Sequence, residues 1–279
     1  MSGFFKRYLR NPGGVVGLVL LGLILFVALF ASVLFPISPW QMQGDPLLGL
    51  MEDTAFPLGT DMLGRDIAAG LAYGARVSLL VGVVSTLFAV LVGVTFGALA
   101  GYFGGWIDDV LMRVTEFFQT IPQLAMAIVL VAIFTPSLPS IVLAIALVSW
   151  PPVARLVRAE VLSLREREFV EAAVVLGRPT SKTLLDEILP NAMPPVIVTA
   201  SLMVATAILT EAALSFLGLG DKNYMSWGFM VGAARTMLRE APMLTVFPGV
   251  AILLTVRAVN LVGEALNDTF NPRLRERGE

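Results

Sequence analysis

Five stretches of this chain carry no charged residue: Asn11–Gly44, Val77–Ile107, Phe117–Ala154, Ile188–Thr210 and Ala241–Val256. A helix needs about 20 apolar residues to cross a hydrocarbon layer roughly 30 Å thick. In lipid, only helices and closed barrels satisfy every backbone polar group internally. These runs are too long and too uniformly apolar for barrel strands, so the chain reads as an all-α polytopic membrane protein. The run Phe117–Ala154 holds 38 residues and is interrupted by Thr135-Pro136-Ser137-Leu138-Pro139-Ser140. Two prolines so close cannot continue a helix, which divides the run into two spans. Six transmembrane helices are expected: Val15–Phe35, Val77–Ala100, Val114–Phe134, Ser140–Val157, Met193–Phe216 and Leu244–Leu261. The sixth has the weakest pattern, because Arg257 interrupts it.

The expected order is a tail (1–14), a first span (15–35), a loop (36–76), a five-helix core (77–265) containing a charged loop at 158–192, and a second tail (266–279). The first apolar region is longer than that of a cleaved signal peptide, and no small-x-small site follows Phe35-Pro36, so the span is expected to stay as an anchor. With six spans both ends share one side. That side holds fourteen of the 19 Lys and Arg residues, against Arg65, Arg76, Lys222, Arg235 and Arg239 on the other. The positive-inside rule therefore puts both termini and the charged loop in the cytoplasm, with 36–76 and 217–243 outside.

Charged residues make up 14 % of the chain, against about 25 % in a soluble domain. Most of that charge is local, so the net charge of −2 says little about partners, and no nucleic acid is expected among them. The chain has neither cysteine nor histidine, which excludes disulfides, thiolate or imidazole metal sites, and Ser-His or Cys-His nucleophile pairs.

The charged loop has internal order. Leu162, Phe169, Ala172, Ala173 and Leu176 recur at helical spacing, with Glu166, Arg167, Glu168 and Glu171 between them, as in an amphipathic helix with one narrow apolar stripe. Gly177 followed by Pro179 ends it. Thr180 or Ser181 is then placed to cap a second short helix, which Pro190 is expected to stop. The loop becomes a compact knob between two spans.

Glu171-Ala172-Ala173, then Gly177, then Ile188-Leu189-Pro190-Asn191 resembles the EAA signature of the membrane subunits of ABC importers, in the branch for dipeptides, oligopeptides and nickel. Pro57-Leu58-Gly59-Thr60-Asp61, Leu63-Gly64-Arg65-Asp66 and Tyr73-Gly74-Ala75-Arg76 are similar to that branch's segment before the second span. Glu211–Gly220, Ser226-Trp227-Gly228, Pro248-Gly249, Asn260 and Asn271-Pro272-Arg273 match its C-terminal third, so the likeness covers nearly the whole chain. The resemblance implies a type I importer permease of the C kind that hydrolyses nothing itself. Its partners would be a second permease, two cytoplasmic ATPase subunits that bind the ATP and Mg, and an extracytoplasmic substrate-binding protein, all at a prokaryotic inner membrane. Peptides are the expected cargo, with nickel or another small solute as the alternative. Glu171, Ala172, Ala173, Gly177, Ile188, Leu189 and Pro190 would couple to the ATPase. Gly177-Arg178-Pro179-Thr180-Ser181-Lys182-Thr183 only echoes a phosphate-binding loop: the second glycine is missing and no strand precedes it.

Within the loop Glu171 has two readings, a pair with a basic residue of the ATPase or a pair with Arg167 or Arg178. Relatives commonly have a small residue at Arg178 and basic residues or histidine at Asp186-Glu187, so these departures suggest an ATPase groove of different charge. In the membrane, Ala89, Gly93, Gly97 and Gly101 form a small-xxx-small ridge, favoured as intramolecular packing over a subunit face. Phe117, Phe118 and Trp150 read as packing or interfacial anchors. Glu116, Glu211 and Arg257 lie at or near membrane depth, where a charge must face protein or water. A Glu116–Arg257 salt bridge is one reading. Arg257 snorkelling to headgroups or lining the path with Asn260 and Glu211 are others, though Glu211 suits a structural or gating role. Outside, Asp61, Arg65 and Asp66 either dock the binding protein or brace their own loop. A secondary transporter would show inverted repeats and a channel a filter loop, and neither is present in the sequence.

Overall fold

The computed structural model describes Phe5 and residues 7–270, and the described residues are mostly helical. α1 (Pro12–Leu34) leads through a long irregular loop into α2 (Ile67–Phe103). α3 (Gly105–Thr120), α4 (Gln123–Phe134) and α5 (Leu138–Arg165) follow, then the short α6 (Glu168–Val175). A helical turn at Thr180–Lys182 widens into a π-helix at Thr183–Ile188 and continues as α7 (Leu189–Phe216). α8 (Trp227–Ala234), with a 3₁₀ turn at Arg235–Met237, precedes α9 (Met243–Phe270).

Among the described residues five helices are long and apolar enough to cross a membrane, and α3 with α4 makes a sixth crossing if the bent pair counts as one. The continuous third span expected over 114–134 is not formed: α3 and α4 meet at 89°. The cause is Pro122, whose ring disfavours helical backbone at the preceding residue. Ile121 is accordingly extended, at φ −95° and ψ 132°. The other helices overrun their expected limits. α2 starts at Ile67, capped by Asp66, so the first loop ends ten residues before Arg76. Pro190 does not stop a helix either. It sits in the first turn of α7, and the π-turn before it widens the backbone so that Leu189 N–H bonds the carbonyl of Leu184.

Apolar burial alone does not hold helices together in lipid, because acyl chains are as apolar as leucine; close van der Waals contact does. The α2–α5 seam shows this. A Cβ on Gly97 would lie 2.4 Å from the Ala154 carbonyl oxygen, and one on Gly93 would lie 2.6 Å from the Val153 Cβ. Gly101 meets Arg158 and Val161 in the same way. The ridge is therefore spent inside the chain. Val153, Val157 and Val161 of this seam join Val170, Leu184, Ile188 and Val196 in one cluster, so the core runs on into the charged loop. α1 packs on α9 through Gly17, where a Cβ would lie 2.8 Å from the Leu261 Cβ. Asn11 Nδ2 donates to Asp268 at 3.0 Å at one end. At the other, Arg76 reaches the carbonyls of Ala28 and Leu29 and the Ser32 hydroxyl.

Candidate functional site

The loop between α5 and α7 is built around one buried side chain and one backbone reversal. α6 seals itself to the bundle through Val170, which is 2 % exposed. Its C-terminus closes with two bonds around Gly177: Arg178 N–H to the Ala173 carbonyl at 3.1 Å, and Gly177 N–H to the Val174 carbonyl at 2.9 Å. Gly177 has φ +73°, and a Cβ there would touch nothing within 4 Å. The requirement for glycine is purely conformational. Pro179, not Thr180 or Ser181, is the N-cap of the following turn, and no side chain caps it. Asn191 Nδ2 donates to the Glu187 carbonyl at 2.6 Å beside Pro190.

Most of the anticipated apolar stripe faces outward: Phe169, Ala172 and Leu176 are exposed and Leu162 is half-buried. Val175 is 86 % and Leu176 85 % exposed, with Val174, Leu185 and Phe169 also exposed. Glu171 and Ala172 share the open surface, Ala173 is half-buried, and Pro190 is exposed. Ile188 is fully buried and Leu189 half-buried, so these two anchor the loop to the bundle and offer little to a partner. Among the described residues Glu171 has no internal ion pair. Arg178 is engaged elsewhere, 2.7 Å from Asp186 and also bonded to Glu187. The two departures from the family pattern thus pair with each other within the loop, one guanidinium against two carboxylates.

In the first loop, Asp61 accepts Arg65 Nε at 2.6 Å and also takes the backbone N–H groups of Leu63 and Arg65. The Arg65 guanidinium lies 5.4 Å from the Trp40 ring and 5.8 Å from that of Phe229. Asp66 caps α2 through Ala68 N–H at 2.8 Å, and burial pushes its carboxyl above the usual range. All three residues brace the loop. The exposed acids beside them are Asp45 and Glu52, with Leu50 and Met51.

Glu211 is 3 % exposed and cannot line an open path in this arrangement. Its Oε1 accepts the hydroxyls of Ser215 at 2.8 Å and Ser226 at 2.7 Å, and a Cβ on Gly228 would lie 2.7 Å from the carboxylate. With Trp227 N–H on the Ser78 hydroxyl, at 3.1 Å, it locks α7, α8 and α2 together. Arg257 is exposed on α9 and Asn260 half-buried. Glu211 lies five residues from the end of α7 and Arg257 fourteen residues into α9, so they sit at different depths. Arg257 forms no ion pair with Glu116; Glu116 opens on a polar cleft of about 610 Å³ shared with Asp109, Arg113 and Arg155. Trp150 is buried, 4.7 Å from Phe96 and 5.4 Å from Phe118, while Phe117 is exposed. The sequence reading missed the bidentate Arg158–Asp108 pair at 2.5 Å, which ties α5 to α3.

Residues 93–276 match the family of binding-protein-dependent transport system inner membrane components. The chain belongs to that family. Residues 1–48 match the N-terminal transmembrane domain of oligopeptide transport permease C. A dipeptide transport system permease protein DppC of Alkalihalophilus pseudofirmus is 40 % identical over 273 residues, covering 97 % of this chain and 89 % of that protein. A di/tripeptide transport system permease protein DppC of Pseudomonas aeruginosa is 39 % identical, covering 99 % and 93 %. An oligopeptide transport system permease protein OppC of Haemophilus influenzae is 37 % identical, covering 97 % and 88 %. The fold matches an inward-facing MetNI methionine ABC transporter chain with a TM-score of 0.59, at 17 % identity, over 72 % of this chain and 97 % of that one. The permease is thus a non-catalytic membrane component of an ABC importer.

Proposed function

We propose that the chain is one of two permease subunits of an ATP-driven importer of dipeptides and oligopeptides, with both termini cytoplasmic. The 158–192 loop docks on one of two ATPase subunits, which supply the bound ATP and Mg. Glu171, Ala172, Val175 and Leu176 form the contact face, Gly177 sets its angle, and Ile188, Leu189 and Pro190 join it to α7. The substrate-binding protein docks on the first loop, whose exposed face the Asp61–Arg65 pair and Asp66 hold in place. The observation that carries the coupling role is the pair Val175 and Leu176, 86 % and 85 % exposed on a loop otherwise anchored in the core. Exposed apolar groups on a rigid support mark an interaction site. Co-expression with the candidate ATPase, second permease and binding protein tests the reading. Peptide-loaded binding protein should stimulate ATP hydrolysis in proteoliposomes, and Val175→Glu with Leu176→Glu should abolish that stimulation. Hydrolysis indifferent to peptides, or unaffected by the double substitution, would refute it.

A further inference from the structure

The elbow between α3 and α4 is non-helical backbone, and its partners on α5 fix its depth. Gln119, at the end of α3, accepts a hydrogen bond from Arg155 at 2.8 Å. Gln123, at the start of α4, donates to the Ser149 hydroxyl at 2.9 Å. Ser149 and Arg155 lie eleven and seventeen residues from Leu138 in the 28-residue α5. The elbow is therefore level with a point about 17–26 Å along a helix about 42 Å long, within the stretch 140–157 expected to cross the membrane. Irregular backbone at such depth occurs only where it is buried in protein or lines a water-filled space. Gln119, Thr120, Ile121, Pro122, Gln123 and Arg155 are all exposed. Nothing among the described residues covers them, and beside Arg155 the surface opens into the 610 Å³ polar cleft.

We propose that this elbow, with Ser149 and Arg155, is the solute-facing wall of the translocation path, and that it holds the main-chain amides of peptides. The inference rests on the peptide-importer reading above. A guanidinium only donates, so Gln119 must turn its carbonyl oxygen to Arg155. Its NH₂ group then has no partner among the described residues. Gln123 spends its NH₂ on Ser149, which leaves its carbonyl oxygen without one. One free donor and one free acceptor suit the C=O and N–H of a peptide group, which every peptide carries whatever its side chains. Each such contact is worth roughly 2- to 10-fold in affinity, weak enough for release.

The chain has no cysteine, so single cysteines can be placed without background from this subunit. Q119C, Q123C and S149C are introduced into the assembled transporter, with L91C as a control at an exposed apolar position inside the continuous helix α2, where Leu91 is 63 % exposed. A charged, membrane-impermeant thiosulfonate should modify the three elbow cysteines and spare L91C, and trialanine delivered by the binding protein should slow the modification. Elbow cysteines as inert as L91C, both without nucleotide and in the ATP-trapped state, in a complex that still imports peptide, would overturn the wall while leaving the function intact. Modification that trialanine does not slow would overturn the substrate assignment. The Q119L/Q123L double variant should raise KM about tenfold, alike for peptides of unlike side chains. A rise confined to one peptide sequence would overturn the main-chain assignment.

Discussion

The Arg178 guanidinium lies 2.7 Å from the Asp186 carboxylate, closing the loop between α6 and the π-helix on itself. Both side chains are partly exposed, 34 % and 54 %, so screening holds the pair to about 1 kcal/mol or less. Arg178→Ala should leave the melting temperature within about a degree or two. It should, however, speed amide hydrogen exchange between residues 176 and 187. Combining R178E with D186K and E187K should return exchange to its original rate.

Gly177 makes a sharper prediction. Because space around it is open, only its left-handed backbone resists substitution, at roughly 1–2 kcal/mol for an ordinary residue. Gly177→Val should therefore leave the helical content intact and reduce binding-protein-stimulated ATP hydrolysis several-fold. Gly177→Asn, which tolerates this conformation, should retain most of it. Equal losses for the two would count against the turn as the determinant.

Gly97 is the opposite case, with ordinary helical backbone and no space. Gly97→Val places atoms against the Ala154 carbonyl and should cost about 1–3 kcal/mol or more, read as thermal unfolding in detergent. Gly22, whose Cβ position is empty, is the control: Gly22→Val should melt as the parent does.

Arg65→Ala removes the Asp61 bond and the stacking between Trp40 and Phe229 and should cost about 1–3 kcal/mol. Arg65→Lys should recover only part, because an ammonium neither forks onto the carboxylate nor stacks flat. Protease resistance of the first loop reports both.

The six apolar segments and the Gly177 reversal were legible because each depends on local chemistry: apolar length in one case, a glycine followed by proline in the other. The break at Ile121 was not. Pro122 resembles Pro151, Pro194 and Pro248, which lie inside continuous helices, and no local signal separates them. Periodicity also located an apolar stripe on α6 without saying what covers it. Val170 turned out to face the core and Leu176 the open surface. The bracing of Arg65 depends on Phe229, 164 residues away, and so cannot be read from spacing.

The unbroken path of helix from Thr180 to Phe216 has a mechanical meaning. Its 37 residues form one continuous lever about 55 Å long, with Pro190 taken up beside the π-turn and Pro194 and Pro195 carried inside the helix. Tilting such a rod by about 5° swings its far tip by about 5 Å. A small rotation imposed beside Gly177 would therefore arrive, enlarged by the length of that helix, at the Glu211–Ser226 lock near its far end.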